Sequence, residues 1–239
     1  MHTYSFAQHI REQDIVYSRY IVREINLRHA RNKVLFGNNT QLPVILLDGL
    51  KQGAKAFTDT DHTKQIDYDQ VMEKLLIAPT EDSCALSFYM PEELYILELT
   101  EQFIFDKNTS EFRFIPTDLT LFIPANISSK GIMEPVAVFP FEICTRIFKN
   151  DARAFSCATT FGQLPVNFNE QFVIRSYVST IVKIGNKEDL YFDQQYADPY
   201  RAFMAMKKEE ELLQEMMYAA YNPTIGRDAV HKGRRHSKK

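Results

Sequence analysis

Apolar residues recur at helical spacing toward both ends of the 239-residue chain and at alternate positions in its middle. From Ile10 to Asn32, Tyr17, Tyr20, Ile21, Ile25 and Arg28 follow i, i+3, i+4 steps, with Arg19, Arg23 and Asn26 opposite. This predicts a first helix, stopped at Phe36-Gly37-Asn38-Asn39. Pro43 suits a first helical turn, and Leu46, Leu47, Leu50 and Ala54 share a face, so a short helix is expected over Pro43 to Ala56. Asp67, with Gln70 three residues on, makes a capping-box pattern. The helix it opens carries Val71, Met72, Leu75 and Leu76 and ends before Pro79.

From Ala85 to about Val138 the period becomes two. Leu97, Leu99, Glu101, Phe103 and Phe105 alternate, Asp106-Lys107-Asn108-Thr109 reads as a turn, and Phe112, Phe114, Leu119, Leu121 and Ile123 resume the pattern. A series of hairpins with aromatic cross-strand pairs follows, one face of its sheet packed on helices. Helical spacing returns at Phe141 to Lys149. It returns again at Phe168 to Lys183, where Phe168, Phe172, Val178, Ile181 and Val182 recur and Gly185 serves as the stop. Asp198-Pro199 opens a last helix reaching about Tyr221. Phe203, Met206, Leu213, Met217 and Tyr221 line one side of it, and Lys207, Lys208, Glu209, Glu210 and Glu211 lie mostly on the other. The fold class is α+β: a central antiparallel sheet flanked by N-terminal and C-terminal helices. A single domain is expected over residues 1–225, with 226–239 as a disordered basic tail.

Composition narrows the function classes. The chain is long enough to bury a core without disulfides or a metal. Only 8 Gly argue against glycine-rich phosphate loops. Net charge is −3, yet the tail gathers Arg227, Lys232, Arg234, Arg235, Lys238 and Lys239 against Asp228 alone, so the body is more acidic than the whole. That balance is a poor match to a nucleic-acid binder. Cys84, Cys144 and Cys157 form no CxxC; Cys144 and Cys157 could pair, although buried thiols are the simpler reading. No apolar run nears the ~20 residues that span a bilayer. MHTYSFAQHIREQD has neither the basic nor the apolar region of a signal peptide, which leaves a cytoplasmic protein or one whose leader was removed.

The sequence contains no GxSxG, GxGxxG, Walker A or HExxH pattern. His29 sits at the end of the predicted first helix, where a cation complements the dipole. Asp59, Asp61, Asp67 and Asp69 alternate as in a Ca²⁺ loop. Counting from Asp59, however, the required Gly and Glu are Lys64 and Gln70, so a solvated loop and helix cap fits better. Glu92-Glu93 and Glu209 to Glu211 read as solvated charge rather than an acid/base pair. No catalytic, cofactor-binding or metal residue is assigned, and no cofactor is implied.

Four segments, in order, resemble the GldN/PorN family. They are IREQDIVYSRYIVREINLR at Ile10 to Arg28, LLDGLKQGAKAFTDTDHT beginning at Leu46, Phe105-Asp106-Lys107, and FVIRSYVSTIVKIGN at Phe172 to Asn186. The chain differs in having Tyr17 and Val22 where relatives place Trp. The resemblance implies a non-enzymatic structural subunit of the type IX secretion and gliding motility apparatus of Bacteroidetes. It implies a periplasmic ring, associated with the outer membrane, built with a GldK/PorK-like lipoprotein and meeting the periplasmic region of a GldM/PorM-like protein. Self-association within the ring follows, with no nucleic acid involved and the membrane reached only through the lipoprotein. The first helix, rich in Tyr and Arg, and the Met-rich last helix are the candidate contact surfaces, with packing onto the sheet as the plainer role for both. The alternative from the residues alone is a cytoplasmic adaptor that binds an anionic partner or nucleic acid through its basic tail.

Overall fold

The computed structural model of the chain describes residues 11–37, 40–77, 87–156 and 164–221. Its strands are β1 (Ile15–Asn26), β2 (Phe36–Gly37), β3 (Thr40–Gln41), β4 (Ala56–Phe57), β5 (Gln65–Ile66), β6 (Leu76–Ile77), β7 (Ser87–Phe88), β8 (Ile96–Asp106), β9 (Glu111–Ile123), β10 (Glu134–Pro140) and β11 (Thr180–Ile184). Seven of them form an antiparallel sheet in the order β11-β1-β8-β9-β10-β4-β5, while β2–β3 and β6–β7 are separate two-stranded pairs. The helices are α1 (Leu42–Lys51), α2 (Tyr68–Leu75), α3 (Phe141–Asn150), α4 (Phe168–Val173), α5 (Phe192–Gln195) and α6 (Pro199–Tyr221). The α+β class is as expected.

The predicted first helix is a strand. After a single 3₁₀ turn at Glu12–Asp14, the chain extends as β1 from Ile15 to Asn26. Ile15, Val16, Ile21, Val22 and Ile25 are β-branched and stiff at χ1, which favours a pleated backbone. Read at period two, Tyr17, Arg19, Ile21, Arg23 and Ile25 fall on one face; the helical spacing was a coincidence of the same residues. The N-terminal helices that accompany the sheet are therefore α1 and α2, and the first element joins the sheet instead. The second correction is of the same kind. Phe168 to Lys183 is a short helix, α4, ending near Arg175 at φ 52°, and Thr180-Ile181-Val182 then runs as β11. Gly185 does not stop a helix. Its N–H donates to the Tyr20 carbonyl at 2.8 Å, and a Cβ there would sit 3.3 Å from the Tyr20 Cβ.

Other expectations hold. Asp67 accepts from the Gln70 N–H at 2.9 Å while Gln70 returns a bond to the Asp67 N–H, so α2 starts on its capping box. It ends at Leu75, and Leu76 lies exposed in β6 rather than on the buried stripe. The β8–β9 hairpin, α3 and α6 occupy the anticipated segments. The sheet is not covered on one face alone: Ile96 to Glu101 in β8 are all buried, Glu98 and Thr100 included. Alternating polarity does not distinguish a wet face from a covered polar one. Cys144 is a buried free thiol; Cys84, Cys157, Pro79, Ala85, Asn38 and Asn39 and the basic tail lie outside the described residues.

The chain separates into two compact units, and β1, β8 and β9 supply residues to both. One, built from residues 11–21, 101–115 and 181–221, has Ile21, Phe103, Ile181, Ile184, Phe192 and Leu213 at its core. Phe103 is fully buried and stacks on Phe112 at 5.0 Å between centroids, with Tyr17 edge-on to both rings. These are the aromatic cross-strand pairs the alternation predicted. Asp14, also in this unit, is held by Arg11 at 2.9 Å and Lys107 at 3.4 Å.

The other unit, residues 22–37, 40–77, 87–100, 116–156 and 164–180, holds the larger core, with α1, α3 and α4 packed together. Phe141, Phe148, Phe168, Phe172 and Tyr177 contact one another in a ring cluster. Asn32, with no exposed surface, ties the chain after β1 to the segment before β11. Its Nδ2 donates to the Asn26 and Val178 carbonyls at 2.8 and 2.9 Å, and its Oδ1 accepts from the Val178 N–H at 2.7 Å.

Two stability outcomes follow from this packing. Asn32→Ala removes the partner of three half-buried backbone groups and is expected to cost about 1–3 kcal/mol in urea denaturation. At Gly49 of α1 a Cβ would meet Ile147 of α3 at 2.7 Å. Crowding of that kind costs about 1–3 kcal/mol, against about 1 kcal/mol gained in helix propensity. Gly49→Ala is therefore expected to lower the denaturation midpoint slightly, and adding Ile147→Val to recover only part of the loss, because it removes Cδ1 while Cγ1 and Cγ2 stay 2.9 and 3.1 Å from the new Cβ.

Candidate functional site

Residues with chemical potential gather in three places. The first surrounds the β4–β5 turn. Asp59 accepts from the Thr63 N–H at 3.0 Å and from the Thr63 and Thr58 hydroxyls at 2.8 Å, and these bonds hold its pKa down to about 2. The carboxylate is thus spent on its own turn. Among the described residues no group of three or more His, Cys, Asp or Glu is placed to hold a metal ion. Asp67 is the α2 cap already described, and the alternating acids do not converge.

His62 in the same turn lies 2.6 Å from Asp118 of β9 through Nε2, with its ring 4.8 Å from that of Phe57. Asp118 is buried, and its charge also reaches Cys144 of α3. His62 and Asp118 thus come together from distant parts of the sequence, a pairing no spacing could reveal. It is not a nucleophile with its base. Burial, and then the Asp118 charge, push the Cys144 thiol well above its ordinary pKa, and the sulfur faces the Phe139 carbonyl. A reactive cysteine needs the reverse, a thiolate stabilised by positive charge near solvent.

The second place is a cleft of about 670 Å³ at the C-terminal ends of α1 and α3, lined by Gln52, Lys55, Ile143, Arg146 and Arg153 among others. Arg153 bridges Asp151 at 2.7 Å and Asp48 at 2.8 Å, and the two carboxylates raise its pKa further. This clamp ties α1 to the chain after α3. The helix ends present carbonyl oxygens, which oppose an anionic ligand. The floor is structural.

The third place is α6. Ala202 and Leu213 are buried, Met206, Met216 and Met217 pack on the same core, and Glu209 bonds Arg19 of β1 at 2.9 Å. Phe203, expected on this inner side with Met206 and Leu213, is 55% exposed. It belongs to an outer face with Tyr200 (68%), Met204 (44%) and Tyr218 (61%). The helix therefore shows apolar side chains to both core and solvent. Of the two surfaces proposed from the sequence, β1 is largely committed to packing, although Val16 remains exposed; α6 keeps a free face.

The other sequence candidates have local roles. His29 accepts from the Arg31 N–H at a 3₁₀ turn instead of completing a helix dipole. Glu93 accepts from the Met90 N–H, and Glu92 lies in the same short 3₁₀ turn. No helix among the described residues is long and apolar enough to cross a membrane.

The segments that carried the family resemblance fall on β1, on α1 and the β4–β5 turn, on the β8–β9 turn, and on the end of α4 with β11. Comparison with curated proteins returns no significant match. The family model described as gliding motility associated protein GldN matches residues 10–221, which takes in every described element from β1 to α6, and the chain belongs to that family.

Proposed function

We propose that this protein is a non-enzymatic structural subunit of the type IX secretion and gliding motility apparatus. It forms a periplasmic ring with a GldK-like lipoprotein, beneath the outer membrane, and the ring meets the periplasmic region of a GldM-like protein. The observation that carries this reading is the family match across residues 10–221. The exposed aromatic and Met side chains of α6 support it, because a subunit held in place by other polypeptides needs a contact face beyond its own core. A ring further requires a head-to-tail contact, in which two different patches meet.

Co-expression with a GldK-like lipoprotein tests the proposal: co-purification in large annular particles, seen by negative-stain electron microscopy, is expected. A chain that stays monomeric in the presence of that partner overturns it. Removal of residues 226–239 is expected to leave the particles intact. If assembly is lost, and the intact chain shows salt-sensitive binding to an anionic polymer that the shortened chain lacks, the adaptor reading replaces the ring.

A further inference from the structure

The outer face of α6 has an order that exposure alone does not convey. Tyr200, Met204, Lys207, Glu211, Gln214 and Tyr218 are spaced by steps of four, three, four, three and four, so they form one seam along a helix of 23 residues, roughly 35 Å long. All six are exposed. None belongs to the core contacted by the inner face.

The seam is also complementary to itself when reversed. Turned end for end about the level of Glu209, Tyr200 exchanges with Tyr218, Met204 with Gln214, and Lys207 with Glu211. We infer that α6 pairs with α6 of a second copy of this chain in antiparallel register, Lys207 of each copy facing Glu211 of the other. Aromatic rings meet at both ends of the contact and two ion pairs lie at its centre. Charge selects the direction, since a parallel pair would set Lys207 against Lys207 and Glu211 against Glu211. Within one helix these two side chains are 3.9 Å apart and each about 60% exposed, so both can turn to a partner. Spacing of four and three suits helices crossing at about 20°.

The contact is two-fold, so it joins chains in pairs and does not itself close a ring. It stands independently of the lipoprotein partnership and can fail or survive alone.

Sedimentation of the intact purified chain over a concentration series tests it. The wild type is expected to show a reversible monomer–dimer equilibrium. Lys207→Glu and Glu211→Lys each turn two attractive pairs into repulsive ones and should weaken dimerisation about tenfold or more. Lys207→Glu and Glu211→Lys in one chain should restore it, and an equimolar mixture of the two single variants should dimerise better than either alone. Far-UV circular dichroism confirms that each variant keeps its helix; should one unfold, Tyr218→Ser, at a 61% exposed position, replaces it and should also weaken the dimer. A wild type that remains monomeric, single variants that associate as it does, or a folded double variant and mixture that fail to recover would each overturn the pairing.

Discussion

A strand buried on both faces must find hydrogen-bond partners along both edges, because its peptide groups have no water to turn to. β8 is such a strand: six successive residues from Ile96 are buried, and β1 and β9 flank it. β9 follows β8 through a short turn and comes at little entropic cost. The other edge has to be supplied from elsewhere in the chain, and Ile15 to Asn26 supplies it. This demand explains why a segment with passable helical spacing lies extended, and why β11 can add beyond it from far along the chain.

The two cores use different means. In the unit holding α6, the aromatic side chains of β1, β8 and β9 meet face and edge, and Arg19 with Glu209 anchors the helix. In the other unit, aliphatic burial on α1 and the ring cluster of α3 and α4 are joined by polar lashings. Asn32 serves backbone groups on two segments, Asn167 caps α4 while donating to the Phe148 carbonyl at 2.7 Å, and Lys74 reaches the Val136 carbonyl at 2.8 Å. Each such group must be satisfied once buried, so each also specifies one arrangement of its neighbours. His62 with Asp118 is a further contact of this kind, joining the β4–β5 turn to β9.

The residues left over after packing are the ones available to other chains. On α6 two stripes of apolar side chains face opposite ways, and only one is used by the core. The outer stripe combines Tyr, Phe and Met with interleaved opposite charges, a composition suited to reversible and oriented contact more than to a permanent hydrophobic seam. Membership of the GldN family gives that stripe a setting in gliding motility.

Local signals were legible in the residues themselves. The Asp67–Gln70 box, Pro199 at the start of α6, the Asp106-to-Thr109 turn and the alternation of β8 and β9 each rest on neighbours within a few positions, where covalent geometry and propensity decide. The ordered segments that carried the family resemblance were equally legible, since a family pattern is itself linear. Tertiary structure alone decided the rest. Tyr17, Ile21 and Ile25 satisfy both a helical and a strand period, and only the open edge of β8 selected between them. Val178 to Val182 is the same case beside β1. Phe203 has the hydrophobicity of a core residue, yet where the inner face of α6 ends depends on what the sheet can receive. The pairing of His62 with Asp118, drawn from a turn and a strand, exists only after folding, because proximity across such sequence distances is a property of packing and not of any local pattern.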